Sequence, residues 1–131
     1  MQAVADYFGP THLTDPKTLN GNVDGLLVRL FGGTRDQMPE VYKNASPYFH
    51  VKAGDPPFLI VQGDSDSTVP MIQSTMFADA LTEAHVPNQL IIVKNGEHGF
   101  GPAAGMTTVD PDRTSIENSV FAFFDKYLKT P

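Results

Sequence analysis

Two apolar runs, Phe58-Leu59-Ile60-Val61 and Leu90-Ile91-Ile92-Val93, decide most of what this chain can fold into. A strand with one wet face alternates apolar and polar residues. A continuous apolar run is what a strand shows when helices cover both faces of its sheet. Between the runs, Ile72, Met76, Phe77, Ala80, Leu81 and Ala84 recur at helical spacing behind Pro70 and predict a helix to about His85. Strand, helix and strand in that order imply a parallel pair joined by a right-handed crossover. Residues 3–8 (Ala-Val-Ala-Asp-Tyr-Phe), closed by Gly9-Pro10, predict one more strand. The expected fold class is α/β: a three-layer arrangement of a parallel sheet, with strands near 3–8, 57–62 and 89–94, and flanking helices. The second and third of these read as central strands, so at least one sheet edge is expected to be unprotected.

The remaining segments read as follows. Thr11 to Asn22 is polar and rich in turn formers, and reads as loop. Asp24 is placed to cap a helix in which Leu26, Leu27, Leu30 and Phe31 share a face and Gly32-Gly33 ends it. Thr34 and Gln37 have capping-box spacing for a short second helix to Asn44, with Pro39 inside it and Ser46-Pro47 beyond. After a Gly-, Pro- and Thr-rich loop from Asn95 to Asp110, Asp110 and Pro111 suit the N-cap and first position of a final helix. Its apolar face is Ile116, Val120, Phe123, Phe124 and Tyr127.

With 131 residues, the chain has enough length for one core but not two, and residues 1–131 are read as a single domain. The net charge of −6 argues against nucleic acid or an anionic membrane as partner, since both require basic surfaces. The absence of cysteine removes disulfides, thiolate metal sites and a cysteine nucleophile. No apolar run approaches the roughly 18 residues that cross a bilayer, and no basic-then-apolar leader is visible. A cytoplasmic location is the expectation. Met1 runs almost directly into the apolar Ala3-Val4-Ala5, which suggests a truncated domain.

Two loops carry the chemistry. Gly63-Asp64-Ser65-Asp66-Ser67-Thr68-Val69-Pro70 follows one buried strand, and Asn95-Gly96-Glu97-His98-Gly99-Phe100 follows the next. Open α/β sheets place their ligands at this carboxyl rim. Asp66 reads either as a loop aspartate that bonds its own backbone amides or as the carboxylate that orients an imidazole. His98, between Gly96 and Gly99, reads either as a surface histidine or as a general base whose ring is free of neighbours. Each after its own strand, in acid-then-base order, they favour the catalytic reading. Asp64 is assigned to loop structure. A metal site of Asp64, Asp66, Glu97 and His98 is possible by ligand type but matches no metal spacing. His12, His50 and His85 read as surface groups. The chain has no Gly-x-Ser-x-Gly. Ser65 and Ser67 share the acid's loop, Ser74, Ser115 and Ser119 read as helical, and Ser46 has no visible base, so none reads as the nucleophile.

In these pieces, together with Tyr7-Phe8-Gly9-Pro10-Thr11, Ala45-Ser46-Pro47, Pro56-Pro57-Phe58-Leu59-Ile60 and Gln73-Ser74, the chain resembles the C-terminal half of an α/β-hydrolase. The likeness is to the esterase/lipase branch related to bacterial feruloyl esterases, carboxylesterases and prolyl-oligopeptidase-like hydrolases. The resemblance implies Asp66 as triad acid and His98 as triad base, in the family order Ser, Asp, His. It implies that the nucleophile elbow and the His-Gly-Gly-type oxyanion loop would lie upstream of Met1. Gln62 stands where such enzymes often carry His. The activity implied is carboxylic-ester hydrolysis on a small-molecule ester, with no cofactor and no metal. The alternatives are a catalytically inactive binding module, or a subunit that needs a partner chain. A strand without its neighbour at residues 3–8 would also make the chain self-associate, most simply as a homodimer.

Overall fold

The computed structural model describes residues 1–19 and 21–129. Its sheet has three strands, β1 (Val4–Tyr7), β2 (Phe58–Gly63) and β3 (Asn88–Val93), in the order β1-β2-β3. Both pairings are parallel, with Val4 opposite Phe58 and Phe58 opposite Asn88. Helices α1 (Gly21–Phe31) and α2 (Pro39–Asn44) lie between β1 and β2 in sequence, α3 (Ile72–Glu83) joins β2 to β3, and α4 (Arg113–Leu128) follows β3. The α/β class and the three strands are as the apolar runs predicted. No helix among the described residues is long and apolar enough to cross a membrane.

The middle strand divides the core by the two-residue period of a pleated strand. Leu59 and Val61 pack with Val93 and with Ile116 and Phe123 of α4. Ile60 points the other way, into Phe77, Ala78 and Leu81 of α3 and Val86. A third cluster of Leu13, Leu19, Val23, Leu27, Tyr42 and Val69 ties the N-terminal half to the loop that leaves β2. Gln73 reinforces that tie. Its Oε1 accepts from the amides of Thr11 (2.9 Å) and His12 (2.7 Å), and its Nε2 donates to the carbonyls of His12 (3.0 Å) and Thr18 (2.9 Å).

Several local expectations are corrected. β2 alone is central; β3 is an edge strand whose Leu90, Ile91 and Ile92 are only half-buried. The segment read as loop holds a 3-10 turn at Pro16–Thr18, and α1 begins at Gly21, ahead of Asp24; Asn20 lies outside the described residues. Asp24 is therefore no cap but pairs with Arg35 at 2.6 Å. Helix α1 buries Val23 and Leu27, while Leu26 (62% exposed) and Leu30 (74%) face outward. Gln37 Oε1 does accept from the Thr34 amide at 2.9 Å, but this closes a turn, and α2 starts at Pro39, where a proline costs no helical bond. Asp112, not Asp110, caps α4, accepting from the Ser115 amide at 2.8 Å. The apolar face of α4 is as expected.

Leu59, wholly buried in the middle strand, gives the sheet prediction. Leu59→Ala should cost about 2–5 kcal/mol in urea unfolding, as large-to-small changes in a packed core do. Phe121→Ala, at a position 68% exposed, should stay within about 0.5 kcal/mol.

Candidate active site

The carboxyl ends of β2 and β3 are stitched together by backbone. The Asp64 amide donates to the Val93 carbonyl (3.1 Å) and the Ser65 amide to the Gly96 carbonyl (3.0 Å). The approach is so close that a Cβ on Gly63 would collide with the Gly96 carbonyl, so glycine is required there. This stitching brings the acid loop and the histidine loop face to face.

Asp66 and His98 meet across it. His98 Nδ1 lies 2.9 Å from Asp66 Oδ2, with the carboxylate side chain fully buried and the imidazole 36% exposed. Three further donors hold the carboxylate: the Thr68 and Val69 amides at Oδ1 (both 2.8 Å) and Gln62 Nε2 at Oδ2 (2.9 Å). All three can only donate, so Asp66 serves as an acceptor and His98 Nδ1 carries the proton toward it. Nε2 is then the ring nitrogen left as a base. Both sequence readings of Asp66 hold at once: Oδ1 bonds its own loop and Oδ2 takes the imidazole. Asp64 stays exposed and accepts from Ser65 Oγ at 2.9 Å.

Glu97 fastens the two loops. One of its oxygens accepts from the Ser67 amide (3.0 Å), the Ser67 hydroxyl (2.9 Å) and the His98 amide (3.3 Å). The Ser67 amide and then its hydroxyl hold the Glu97 carboxyl below the ordinary glutamate value, against a smaller desolvation effect. The His98 ring is not bare, contrary to what its flanking glycines suggested. The Phe8 ring packs on it with centroids 4.3 Å apart, and Phe100 backs Phe8 at 5.0 Å. Phe8 (φ 45°) and Phe100 (φ 64°) both hold left-handed backbone, which is unfavourable for a bulky residue. The tight turns out of β1 and around His98 thus set the Phe8 ring on the imidazole and the Phe100 ring behind Phe8.

A cavity of about 130 Å³ opens beside this wall, lined by Tyr7, Phe8, Gly99, Phe100, Arg113 and Glu117. A larger one, about 500 Å³, lies between β1 and the segment before β2 and is lined by Val4, Asp6, Val51, Phe58 and Phe77. Among the described residues the larger cavity holds no imidazole–carboxylate bond, whereas His98 and Asp66 make one at the rim. Burial pushes the Asp6 carboxyl up, against the Gly9 amide that pulls it down, and its Oδ2 has no hydrogen-bond partner among the described residues.

Other expectations resolve here. No group of three or more metal-ligating side chains forms among the described residues, so Asp64, Asp66, Glu97 and His98 make no such cluster. Ser46 is fully buried and structural, donating to the Tyr42 carbonyl (2.7 Å) and accepting from the Leu13 amide (2.9 Å). His12 is not a surface group: among the described residues its Nδ1 is buried without a partner, and its ring packs on Tyr48 and Phe49. Gln62, Glu97 and Phe8 were not predicted as site residues. A signal was available for Glu97, which directly precedes His98.

Known proteins share this geometry's frame. The model of the BD-FAE family matches residues 1–81, a stretch that contains Asp66 and stops short of His98. The esterase LipQ of Mycobacterium tuberculosis is 31% identical over 106 residues, 79% of this chain and 25% of LipQ. Among solved structures, a truncated carbohydrate esterase from gut microbiota superposes with a TM-score of 0.76 at 25% identity, covering 98% of this chain and 43% of that one. A puromycin-hydrolysing peptidase of Mycobacterium tuberculosis superposes with a TM-score of 0.80 at 25% identity, covering 99% and 19%. The chain therefore spans about a quarter of the length of LipQ and less than half of either structure.

Two predictions arise from these contacts. Asp66→Ala removes the acceptor that buried Gln62 Nε2 and the Val69 amide share, and should cost on the order of 1–3 kcal/mol in urea unfolding; His98→Ala should cost under about 1 kcal/mol. The second concerns acid. A carboxyl whose folded value is depressed stabilises the fold above its unfolded value and loses that contribution as pH falls through the folded one. The Glu97 contribution should accordingly fade below the ordinary 4.5. Thermal melts at neutral pH and near pH 3 should show a smaller acid-induced loss in Glu97→Gln than in the parent chain.

Proposed function

The chain belongs to the BD-FAE family, of α/β-hydrolase type and with esterase relatives, and on that footing we propose that it supplies the acid and the base of a serine-dependent carboxylic-ester hydrolase. The observation that carries the reading is the 2.9 Å contact between His98 Nδ1 and Asp66 Oδ2 at the carboxyl rim of the sheet. In the reaction, a serine hydroxyl from a segment outside this sequence attacks the ester carbonyl and passes its proton to His98 Nε2. The imidazolium formed is stabilised by Asp66, then protonates the leaving alcohol. His98 next takes a proton from water, which cleaves the acyl-enzyme. Phe8, backed by Phe100, walls the ring on one side and limits water there. The mechanism requires no cofactor.

The missing Gly-x-Ser-x-Gly supports a second reading, in which the chain is a subunit or binding module that acts only when joined to another. Strand β1 pairs on one side with β2, and among the described residues nothing pairs its other side. Its outward amides and carbonyls offer a template for a second copy, in a twofold dimer. Leu26, Leu30 and Ile72 add exposed apolar surface to the same molecule. Light scattering behind size exclusion should give about twice the 14.3 kDa chain mass; a stable monomer at micromolar concentration would dismiss the dimer.

The catalytic reading predicts no turnover of a short-chain p-nitrophenyl ester by the 131-residue chain above the buffer rate. Turnover that is lost in His98→Ala but kept in every Ser→Ala variant would contradict it, since His98 would then be activating water directly. In a longer protein whose reading frame supplies a Gly-x-Ser-x-Gly ahead of this chain, Asp66→Asn should lower kcat by about 10⁴-fold while leaving binding largely intact.

A further inference from the structure

Gln62 sits behind the acid and is fully buried. It occupies the same face of β2 as Ile60, two residues on, and so points toward α3. Its Nε2 touches only acceptors: Asp66 Oδ2 at 2.9 Å, the Val69 carbonyl at 3.1 Å and the Gly63 carbonyl at 3.3 Å. Its Oε1 accepts from the hydroxyl of Ser74, itself fully buried on α3, at 2.9 Å. A flipped amide would set its carbonyl against three acceptors, so one orientation is fixed. That orientation delivers a neutral N–H to the same carboxylate oxygen that His98 uses.

We propose that Gln62 is a positioning residue: locked by Ser74, it shares Asp66 Oδ2 with His98 and so limits how strongly the carboxylate holds the imidazolium. A donor on a buried carboxylate draws off part of its charge, and it does so strongly because little water screens the site. A base held too tightly as imidazolium is a poor proton acceptor near neutral pH. The other charged groups around the ring differ in kind. Glu97 reaches the His98 amide, and Arg113 and Glu117 of α4 line the small cavity behind Phe8 and Phe100. Exposed Asp64 is engaged by Ser65. Gln62 is the side chain that acts on the shared oxygen itself.

The inference rests on the reading of Asp66 and His98 as an acid–base pair, and the test separates the two. Long-range proton–nitrogen NMR of the 131-residue chain, taken over a pH series, reads the protonation of the His98 ring without any turnover. In Gln62→Met, the imidazolium form should persist to higher pH than in the parent, by roughly 0.5 pH unit. Ser74→Ala should displace it in the same direction by less, because it only frees the Gln62 amide. Asp66→Asn should displace it to lower pH. An unmoved Asp66→Asn profile overturns the pairing. A displaced Asp66→Asn profile with Gln62→Met and Ser74→Ala both unmoved overturns the role of Gln62 alone. Should Gln62→Met fail to fold, Ser74→Ala decides. A merely structural Gln62 would lower stability and leave the His98 profile where it was.

Discussion

The burial of β2 on both faces is the constraint from which the rest of the molecule follows. A strand covered by α3 on one side and α4 on the other has to send its side chains alternately into two cores, and Leu59, Ile60 and Val61 do so. Its parallel partner β3 then requires α3 as a crossover, and that crossover delivers both strands to the same rim with their carboxyl ends level, Gly63 opposite Val93. The two loops that carry Asp66 and His98 therefore begin level in register. Their approach owes little to the loops and much to the sheet behind them.

At the rim, the controlling fact is the burial of the Asp66 side chain. A carboxylate taken out of water is stable only if its oxygens are satisfied. Four donors meet it, from its own loop, from the end of β2 and from His98. Three of these do not depend on His98, so the acid is preorganised before any substrate or partner arrives. On the proposed function, such fixed polar groups would make charge stabilisation effective, because nothing need reorient as the imidazolium forms. The histidine loop has the opposite character. It is exposed, turns at Gly99 (φ +92°) and is held by Glu97 and by ring contact with Phe8.

The sheet and the meeting of Asp66 with His98 at its rim could be read from sequence because they rest on long-range burial, which writes continuous apolar runs into a chain. Phe58 to Val61 and the spacing of Ile116, Val120 and Phe123 are legible for that reason. The helix starts were not, because they turn on local competition. Asp24 was taken by Arg35, and Asp112 won the cap from Asp110 by reaching the Ser115 amide. Leu26 and Leu30 showed helical periodicity but face outward, since periodicity reports a face without saying what covers it. Gln62 and Gln73 were missed for a related reason: a buried amide is indistinguishable in sequence from an exposed one until its partners 12 and 62 positions away are known. The ring of Phe8 came onto His98 through a left-handed turn that no pattern announces.

In the proposed pair, His98 donates its Nδ1–H to Asp66 in a hydrogen bond and keeps Nε2 free as the base. The most direct measurement is the tautomer of the neutral His98 ring, read from its two nitrogen chemical shifts in the intact chain above the pH at which the ring loses its charge. A predominantly Nδ1–H imidazole is the predicted result. A predominantly Nε2–H imidazole, the form favoured by a histidine in water without a partner, would contradict it.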